Sequence, residues 1–306
     1  MTTHPGLDAT TRPGPFGQPV RRLEDPALLT GLGRYADDIH FPDMLQAAFV
    51  RSPVAHALIT GIDADAARAQ PGVHAVLTMA DIAPHLTADR LSVGMPSKAY
   101  QQLRDRPILA DKEVCHVGEP IAVVIADDRY IAEDAAALVE VEYDFLPASA
   151  DAEAAAAPGS PLAHADADHN ILAEFNMGYG DTDAAFATAP HTFADKFYVH
   201  KGLGMAIEGR GLVARYDALE DRLTVWLATQ MPHMAHRMFI NLLGRNETNT
   251  RVVTPDIGGG FGPKLVFYPE DIVVATAALI LKAPVKWIED RREHFTNSTQ
   301  EPHQIW

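Results

Sequence analysis

Short apolar runs separated by turn residues dominate the first half of the chain. Leu45 to Ser52, Ala57 to Ile62 and His74 to Met79 are such runs, with Pro71-Gly72 between the last two. Their length and near period-two alternation predict strands. A Val/Ile run from Val117 to Ala126, broken only by Gly118-Glu119-Pro120, leads into Ala132 to Val139, where Ala and Leu dominate. That order predicts a strand feeding a helix. Val139, Val141 and Tyr143 then alternate with Glu140, Glu142 and Asp144, the pattern of a half-buried strand ending at Leu146-Pro147.

From 148 to 170 the pattern dissolves into Ala, Asp, Pro, Gly and His, a composition that builds no core of its own, so a domain boundary is expected there. Phe193 to Tyr198, Gly211 to Tyr216 and Leu223 to Thr229 are further strand candidates. Apolar residues at 231, 234, 235, 238, 239, 242 and 243 share one helical face, and Gly244 stops that helix. Arg251 to Ile257 reads as a strand entering a glycine loop. Pro269 to Lys282 reads as a helix with Glu270 and Asp271 in its first turn, where the helix dipole favours them, and Val285 to Ile288 as another strand. After Arg292-Glu293 a polar segment runs to Gln304-Ile305-Trp306, where a new strand is expected to begin.

Composition narrows the function classes. A chain of 306 residues with 47% apolar content supports more than one core, and two domains are expected. The formal charge of -16, from 25 basic and 41 acidic residues, repels phosphate backbones and anionic lipid heads, so neither nucleic acid nor a membrane surface is an expected partner. Cys115 is the single cysteine, which leaves no disulfide framework and no cysteine cluster for zinc or iron–sulfur. Any metal must bring most of its own ligands. The N-terminal residues lack the apolar core of a secretory signal and a cytoplasmic location is expected; the longest apolar stretch, Ile272 to Leu281, falls short of the roughly 20 residues of a bilayer span. Residues 1–28, rich in Pro, Gly and Thr, are expected to form an extended arm.

The candidate chemistry centres on Gly258-Gly259-Gly260-Phe261-Gly262-Pro263-Lys264, between a predicted strand and a predicted helix. Without a Cβ in the way, successive backbone N–H groups there can point at phosphate or oxo groups; the same glycines also suit a tight structural turn. The loop is not a P-loop, because Pro263 precedes Lys264 and Leu265 follows it, and it lacks the last glycine of the dinucleotide fingerprint. Gln230 closes a predicted strand just before Pro232, either as a solvated strand end or with its amide donating to a ligand. His200 and Glu208 form no nucleophile triad by spacing, and Glu208 beside Arg210 reads as a buried ion pair fixing a loop.

The chain resembles the xanthine dehydrogenase/aldehyde oxidase molybdenum hydroxylases along nearly its whole length. Arg22-Leu23-Glu24-Asp25-Pro26, Gly31 to Asp38, Arg51 to Ala57, Pro71-Gly72-Val73, Val117-Gly118-Glu119-Pro120 and Ala132-Glu133-Asp134-Ala135 resemble their α/β hammerhead domain. Ile207 to Gly211, Thr229-Gln230, Asp256 to Lys264 and Trp287 to Glu293 resemble the first half of their molybdopterin-binding domain. Tyr268-Pro269 and Pro284-Val285-Lys286-Trp287 are similar to the carbon monoxide dehydrogenase large-subunit branch. The resemblance implies an α+β fold: an arm over 1–28, a hammerhead domain over 29–148, a linker over 149–170, and the first part of a mixed α/β molybdopterin-binding domain over 171–306.

It also implies a molybdenum held by a pterin dithiolene, as molybdopterin cytosine dinucleotide, so a single cysteine is no obstacle. Gln230 would hydrogen-bond an oxo group, and Gly259, Gly260, Phe261 and Gly262 would pack on the metal centre and pterin. Purine-oxidising members carry a glutamate where Leu265 stands, so a pocket residue without charge implies an aldehyde, an N-heteroaromatic ring or carbon monoxide as substrate. Water would supply the oxygen, and electrons would pass to 2Fe-2S and FAD subunits. Full large subunits of the family are much longer, and their general-base glutamate lies near the far C-terminus. The expectation is therefore a split large subunit completed by a C-terminal partner chain, in a dimer of such assemblies. The alternative is a non-catalytic scaffold or assembly subunit with the same fold.

Overall fold

A computed structural model describes residues 14, 16–92, 97–102, 104–299 and 302–306. The chain divides into a segment up to Arg34 and a compact unit from Tyr35 to Trp306. Of the expected arm, residues 1–13 and 15 lie outside the described residues. Within the remainder, Asp25–Leu29 forms a helical turn rather than extended chain. Pro26 in its first turn is preset to the helical φ, and Asp25 suits the positive end of the dipole.

The compact unit is built from strands β1 (Leu45–Arg51), β2 (Ala57–Asp63), β3 (Val73–Thr78), β4 (Glu113–Val114), β5 (Pro120–Ala126) and β6 (Glu140–Phe145). Beyond the alanine-rich segment follow β7 (Gly211–Asp217), β8 (Arg222–Leu227), β9 (Thr250–Val253) and β10 (Val285–Ile288). The principal helices are α1 (Arg129–Ala136), α2 (Pro232–Leu243), α3 (Pro269–Leu281) and α4 (Arg291–Asn297). Among the described residues the main sheet has the order β9-β8-β7-β10-β1-β5-β3, and β4-β2-β6 forms a smaller sheet. The main sheet crosses the expected boundary: β1, β3 and β5 precede it and β7 to β10 follow it. The seam is the parallel pair β1–β10, with Leu45 beside Val285 and Gln46 beside Lys286.

Period two in the strands explains the layers. Ala47 and Phe49 of β1, Val123 and Ile125 of β5, and Leu212 and Ala214 of β7 share one core with α3. Val50, Val76, Ala122 and Val124 point the other way and pack with Ala135 of α1. A helix lying inside a core must be apolar all round, and α3 is buried at every residue from Pro269 to Ala278. Its one interior hydroxyl, Thr276, is satisfied by donating to the Ile272 carbonyl at 2.7 Å. At the seam, Phe49 meets Trp287 edge-on, with ring centroids 5.5 Å apart.

The sequence expectations fail where a local feature outranks periodicity. The strand expected over Arg251 to Ile257 ends at Val253, because Pro255 offers no N–H for a ladder. The strand expected from Val117 starts at Pro120, after Gly118 turns the chain at φ 94°. The helix expected at Ala132 begins at Arg129, where the Asp128 side chain accepts the Ile131 N–H. Of the Phe193 to Tyr198 run only Tyr198 pairs, in a two-residue strand Tyr198–Val199 opposite Gln304–Ile305. The polar segment after Arg292-Glu293 begins inside helix α4, which runs to Asn297, and the missed signal was the Asp290/Glu293 capping box.

One buried charge cluster ties these layers together. Arg210, 3% exposed, donates from Nε to Glu289 Oε1 at 2.7 Å and from Nη1 to Glu270 Oε2 at 3.4 Å, with its guanidinium 3.9 Å from the Tyr268 ring centre. Arg51 donates to Glu270 Oε1 at 2.7 Å and to Glu293 Oε1 at 2.7 Å. Burial alone would raise the Glu270 carboxyl, but Arg210 and Arg51 hold it at about 2, against an ordinary value of 4.5. A carboxylate with a depressed folded-state value stabilises the fold above its unfolded value, and that stability is lost as pH falls toward the folded one. Glu270→Gln is therefore expected to cost about 3 kcal/mol at neutral pH, since it strands buried guanidinium charge. The gap between wild type and variant should close as pH falls from 4.5 to about 2. Denaturant unfolding across that range measures it; a gap independent of pH would contradict the assignment.

Candidate functional site

Past Pro255 the chain leaves β9 and turns through the glycine loop into a 3-10 turn, Pro263–Leu265, ahead of α3. The loop is fastened from below at both ends by one carboxylate. Glu208 Oε2 accepts the Gly258 N–H at 2.8 Å and the Lys264 ammonium at 2.7 Å, and Lys264 is 3% exposed. Glu208 Oε1 accepts the Ala36 N–H at 3.4 Å. The expected ion pair of Glu208 with Arg210 is thus corrected: Glu208 pairs with Lys264, whereas Arg210 pairs with Glu289 and Glu270. The chain bends at Ile207-Glu208 instead of running as a strand, so period two does not bring 208 and 210 to a common partner.

On the outer side, Gln230 closes over the loop. Its backbone N–H donates to the Lys264 carbonyl at 2.8 Å, and its side-chain Oε1 accepts the Gly262 N–H at 3.1 Å. This fixes the carboxamide with its NH2 group turned away from the loop backbone. A Cβ at Gly260 would stand 2.5 Å from Gln230 Cδ, so the close approach of amide to loop requires glycine. Gly259 at φ 101° and Gly262 at φ 99° lie two residues before and one after Phe261, itself left-handed at φ 52° and 72% exposed. A non-glycine residue in that region is uncommon and is held by its surroundings. Among the described residues, nothing accepts a hydrogen bond from the N–H of Gly259, Gly260 or Phe261, or from the Gln230 amide.

The floor beneath the loop is the segment Gly204 to Glu208. A Cβ at Gly204 would come 2.8 Å from the Phe261 carbonyl, and one at Gly259 would meet Ala206 at 3.2 Å. Helix α4 holds this floor: Arg291 Nη2 donates to the Ala206 carbonyl at 2.9 Å, and His294 bridges Glu289 Oε2 at 2.9 Å and the Gly204 carbonyl at 3.0 Å. Tyr268 donates its hydroxyl to the Pro263 carbonyl at 2.7 Å, and burial pushes that phenol up, keeping it a donor.

The fold therefore brings Gln230, Gly259, Gly260, Phe261 and Gly262 to one corner. Leu265 sits just beyond it on the 3-10 turn, 56% exposed. His200 lies against His303, with ring centroids 6.5 Å apart. Sequence reading missed the Lys264 clamp and the floor segment, whose partners lie far away along the chain with no spacing rule to join them. Chemically, the corner offers oriented neutral donors to an oxo or phosphate group. Among the described residues the one cluster of three or more His, Cys, Asp or Glu ligands is formed by His56, Glu113 and Cys115, so the corner offers an incoming metal no ligand set of its own.

Comparison with known proteins agrees along the chain. Residues 30–147 match the model for the aldehyde oxidase and xanthine dehydrogenase a/b hammerhead domain, and 163–306 that for the molybdopterin cofactor-binding domain. The chain is 40% identical over 282 residues to the nicotine 6-hydroxylase large subunit of Paenarthrobacter nicotinovorans, covering 91% of this chain and 34% of that protein. It is 40% identical over 290 residues to the carbon monoxide dehydrogenase large chain of Hydrogenophaga pseudoflava, covering 90% and 35%. The structure of quinoline 2-oxidoreductase from Pseudomonas putida 86 superposes with a TM-score of 0.88 at 37% identity, covering 94% of this chain and 36% of that one. The chain thus spans about a third of the length of these relatives.

The clamp under the loop is testable by itself. Glu208→Ala leaves a buried ammonium and the Gly258 N–H unpaired, and an expected cost is about 3 kcal/mol. Adding Lys264→Met removes the stranded charge and should recover part of that loss in denaturant unfolding. A double variant as unstable as the sum of both singles would mean that the two side chains act independently.

Proposed function

This chain belongs to the aldehyde oxidase and xanthine dehydrogenase family, and we propose that the corner of Gln230 and Gly259–Gly262 is its contact with a molybdenum-bearing pterin. The observation that carries this reading is the clustering of donors that have no partner among the described residues: the Gln230 amide and the N–H groups of Gly259, Gly260 and Phe261. The residues fit such a group, because an oxo- and phosphate-bearing cofactor accepts hydrogen bonds and brings its own sulfur ligands to the metal. On this reading residues 29–148 are the hammerhead domain, 149–170 the linker and 171–306 the first part of the cofactor-binding domain.

When bound, the pterin-held molybdenum supplies two-electron oxidation of a small substrate with water as oxygen source. This chain's residues bind and orient. The Gln230 Oε1 bond to Gly262 N–H aims the NH2 group outward, where it would be free to donate to an oxygen of the cofactor. The Glu208 clamp keeps the loop N–H groups in place without reorganisation on binding. Leu265 offers an apolar surface beside the corner, which favours an aldehyde, an N-heteroaromatic ring or carbon monoxide over a purine. The proton-transferring base is supplied by polypeptide outside residues 1–306, and electrons leave to 2Fe-2S and FAD subunits. The cytosine dinucleotide is the proposed form of the pterin.

In the assembled enzyme, Gln230→Ala is expected to lower kcat by about 10²–10³-fold with metal content and unfolding midpoint unchanged. Gly260→Ala, whose Cβ would stand 2.5 Å from Gln230 Cδ, should displace the amide and produce a similar loss. Steady-state kinetics with metal and nucleotide analysis read both. Unchanged turnover in Gln230→Ala would remove its assigned role, and an assembly free of molybdenum and pterin would favour a scaffold.

A further inference from the structure

The smaller sheet carries a cluster that the molybdenum reading leaves unused. Ala57 of β2 pairs with Val114 of β4, and Leu58 with Glu113. Period two then turns the Glu113 and Cys115 side chains to the same face, with His56, one step before Ala57, opposite them. His56 Nε2 lies 2.8 Å from Glu113 Oε1, and ligand atoms of His56, Glu113 and Cys115 all fall within 4.8 Å of one another. A fourth group comes from the alanine-rich segment: the Cys115 thiol lies 3.2 Å from His164 Nδ1. Glu113 also accepts the Ala165 N–H at 2.6 Å, which holds that segment on the sheet.

We propose that His56, Glu113, Cys115 and His164 form a tetrahedral binding site for a divalent zinc-like cation that staples the segment around His164 to the small sheet. Four ligands at zinc bond lengths of roughly 2.0–2.3 Å stand about 3.3–3.8 Å apart along the tetrahedral edges. For His56, Glu113 and Cys115 the 2.8 Å contact and the 4.8 Å span bracket that edge, whereas His164 touches Cys115 alone at 3.2 Å and has to swing toward the other two to become the fourth ligand. The donor set of two imidazoles, one carboxylate and one thiolate matches zinc and cobalt rather than the hard, all-oxygen preference of magnesium or calcium.

Two further features point to a metal. The Nδ1 of His56 lies 2.9 Å from the Pro147 carbonyl, the outer contact that leaves Nε2 as the ligating nitrogen. Charge also favours a cation: a thiolate and the Glu113 carboxylate offset a divalent ion, and the buried Glu119, which accepts the Cys115 N–H at 2.6 Å, adds negative charge beside the site. Binding replaces the S–H bond with an S–metal bond and releases the thiol proton to solvent, without any redox change.

The test uses the purified protein, stripped with a chelator and titrated with Zn²⁺ or Co²⁺. The expected result is one equivalent bound, a Co²⁺ spectrum of tetrahedral type with a thiolate charge-transfer band, and protection of Cys115 from alkylation by Zn²⁺. Cys115→Ser should abolish the charge-transfer band, and His164→Ala should weaken binding by at least about tenfold. His164 is only partly buried, so its variant is expected to keep the fold, checked by circular dichroism. The alkylation readout needs no variant. Sub-stoichiometric binding, absence of the thiolate band, or alkylation of Cys115 unaffected by Zn²⁺ would each overturn the proposal.

Discussion

The buried guanidinium of Arg210 is the constraint on which the site geometry depends. Its partners come from two directions: Glu270 and Tyr268 from the start of α3, and Glu289 from just past the end of β10. A charge at 3% exposure is tolerable only if every partner is in place, because the cost of taking it out of water is recovered through correct geometry alone. Each partner is in turn committed. Glu289 receives the Arg210 backbone N–H and faces His294, and His294 reaches the Gly204 carbonyl. The position of the floor segment, Gly204 to Glu208, is thereby set by a charge outside the glycine loop.

From that floor the loop inherits its shape. Glu208 presents one oxygen to both Gly258 and Lys264, so the loop is drawn down at its two ends while its middle bulges outward. Gln230 then fixes the upper edge through Gly262. Phe261 is left-handed in a chain where that conformation costs about 1–3 kcal/mol for a non-glycine residue, and its ring faces solvent rather than a core. Local packing gives that strain no return within these residues, which is the pattern of a backbone held ready for a ligand.

The sequence made the layers legible because burial there follows a period. β1 and β3 were readable from short, near-alternating apolar runs, and β5 and the body of α3 from the non-alternating apolar runs within Val117 to Ala126 and Ile272 to Leu281. Boundaries were not, since they were decided by single events: Pro255 ending β9, Asp128 capping α1, and the Asp290/Glu293 box starting α4. At the site, the residue types Gln230 and Gly259–Gly262 stood out, and the fold brings them together. The Glu208–Lys264 pair was hidden, because contacts across 56 residues obey no spacing rule. Arg210 was the nearer and therefore the misleading partner for Glu208.

On the proposed reading, the inward turn of Lys264 leaves recognition of an anionic group by a chain of net charge -16 to neutral donors. A lysine aimed at the ligand would attract any phosphate or carboxylate as a point charge, with little regard to orientation. Here that charge is spent on Glu208, and the ligand side is left with backbone N–H groups and one carboxamide. Such dipoles act at hydrogen-bond distance and in fixed directions, so they select an acceptor by where its oxygens stand. Long-range repulsion from the acidic surface is screened beyond about 8–10 Å at ordinary salt. Recognition at this corner is therefore geometric, and its fidelity rests on the buried charges that hold the loop still.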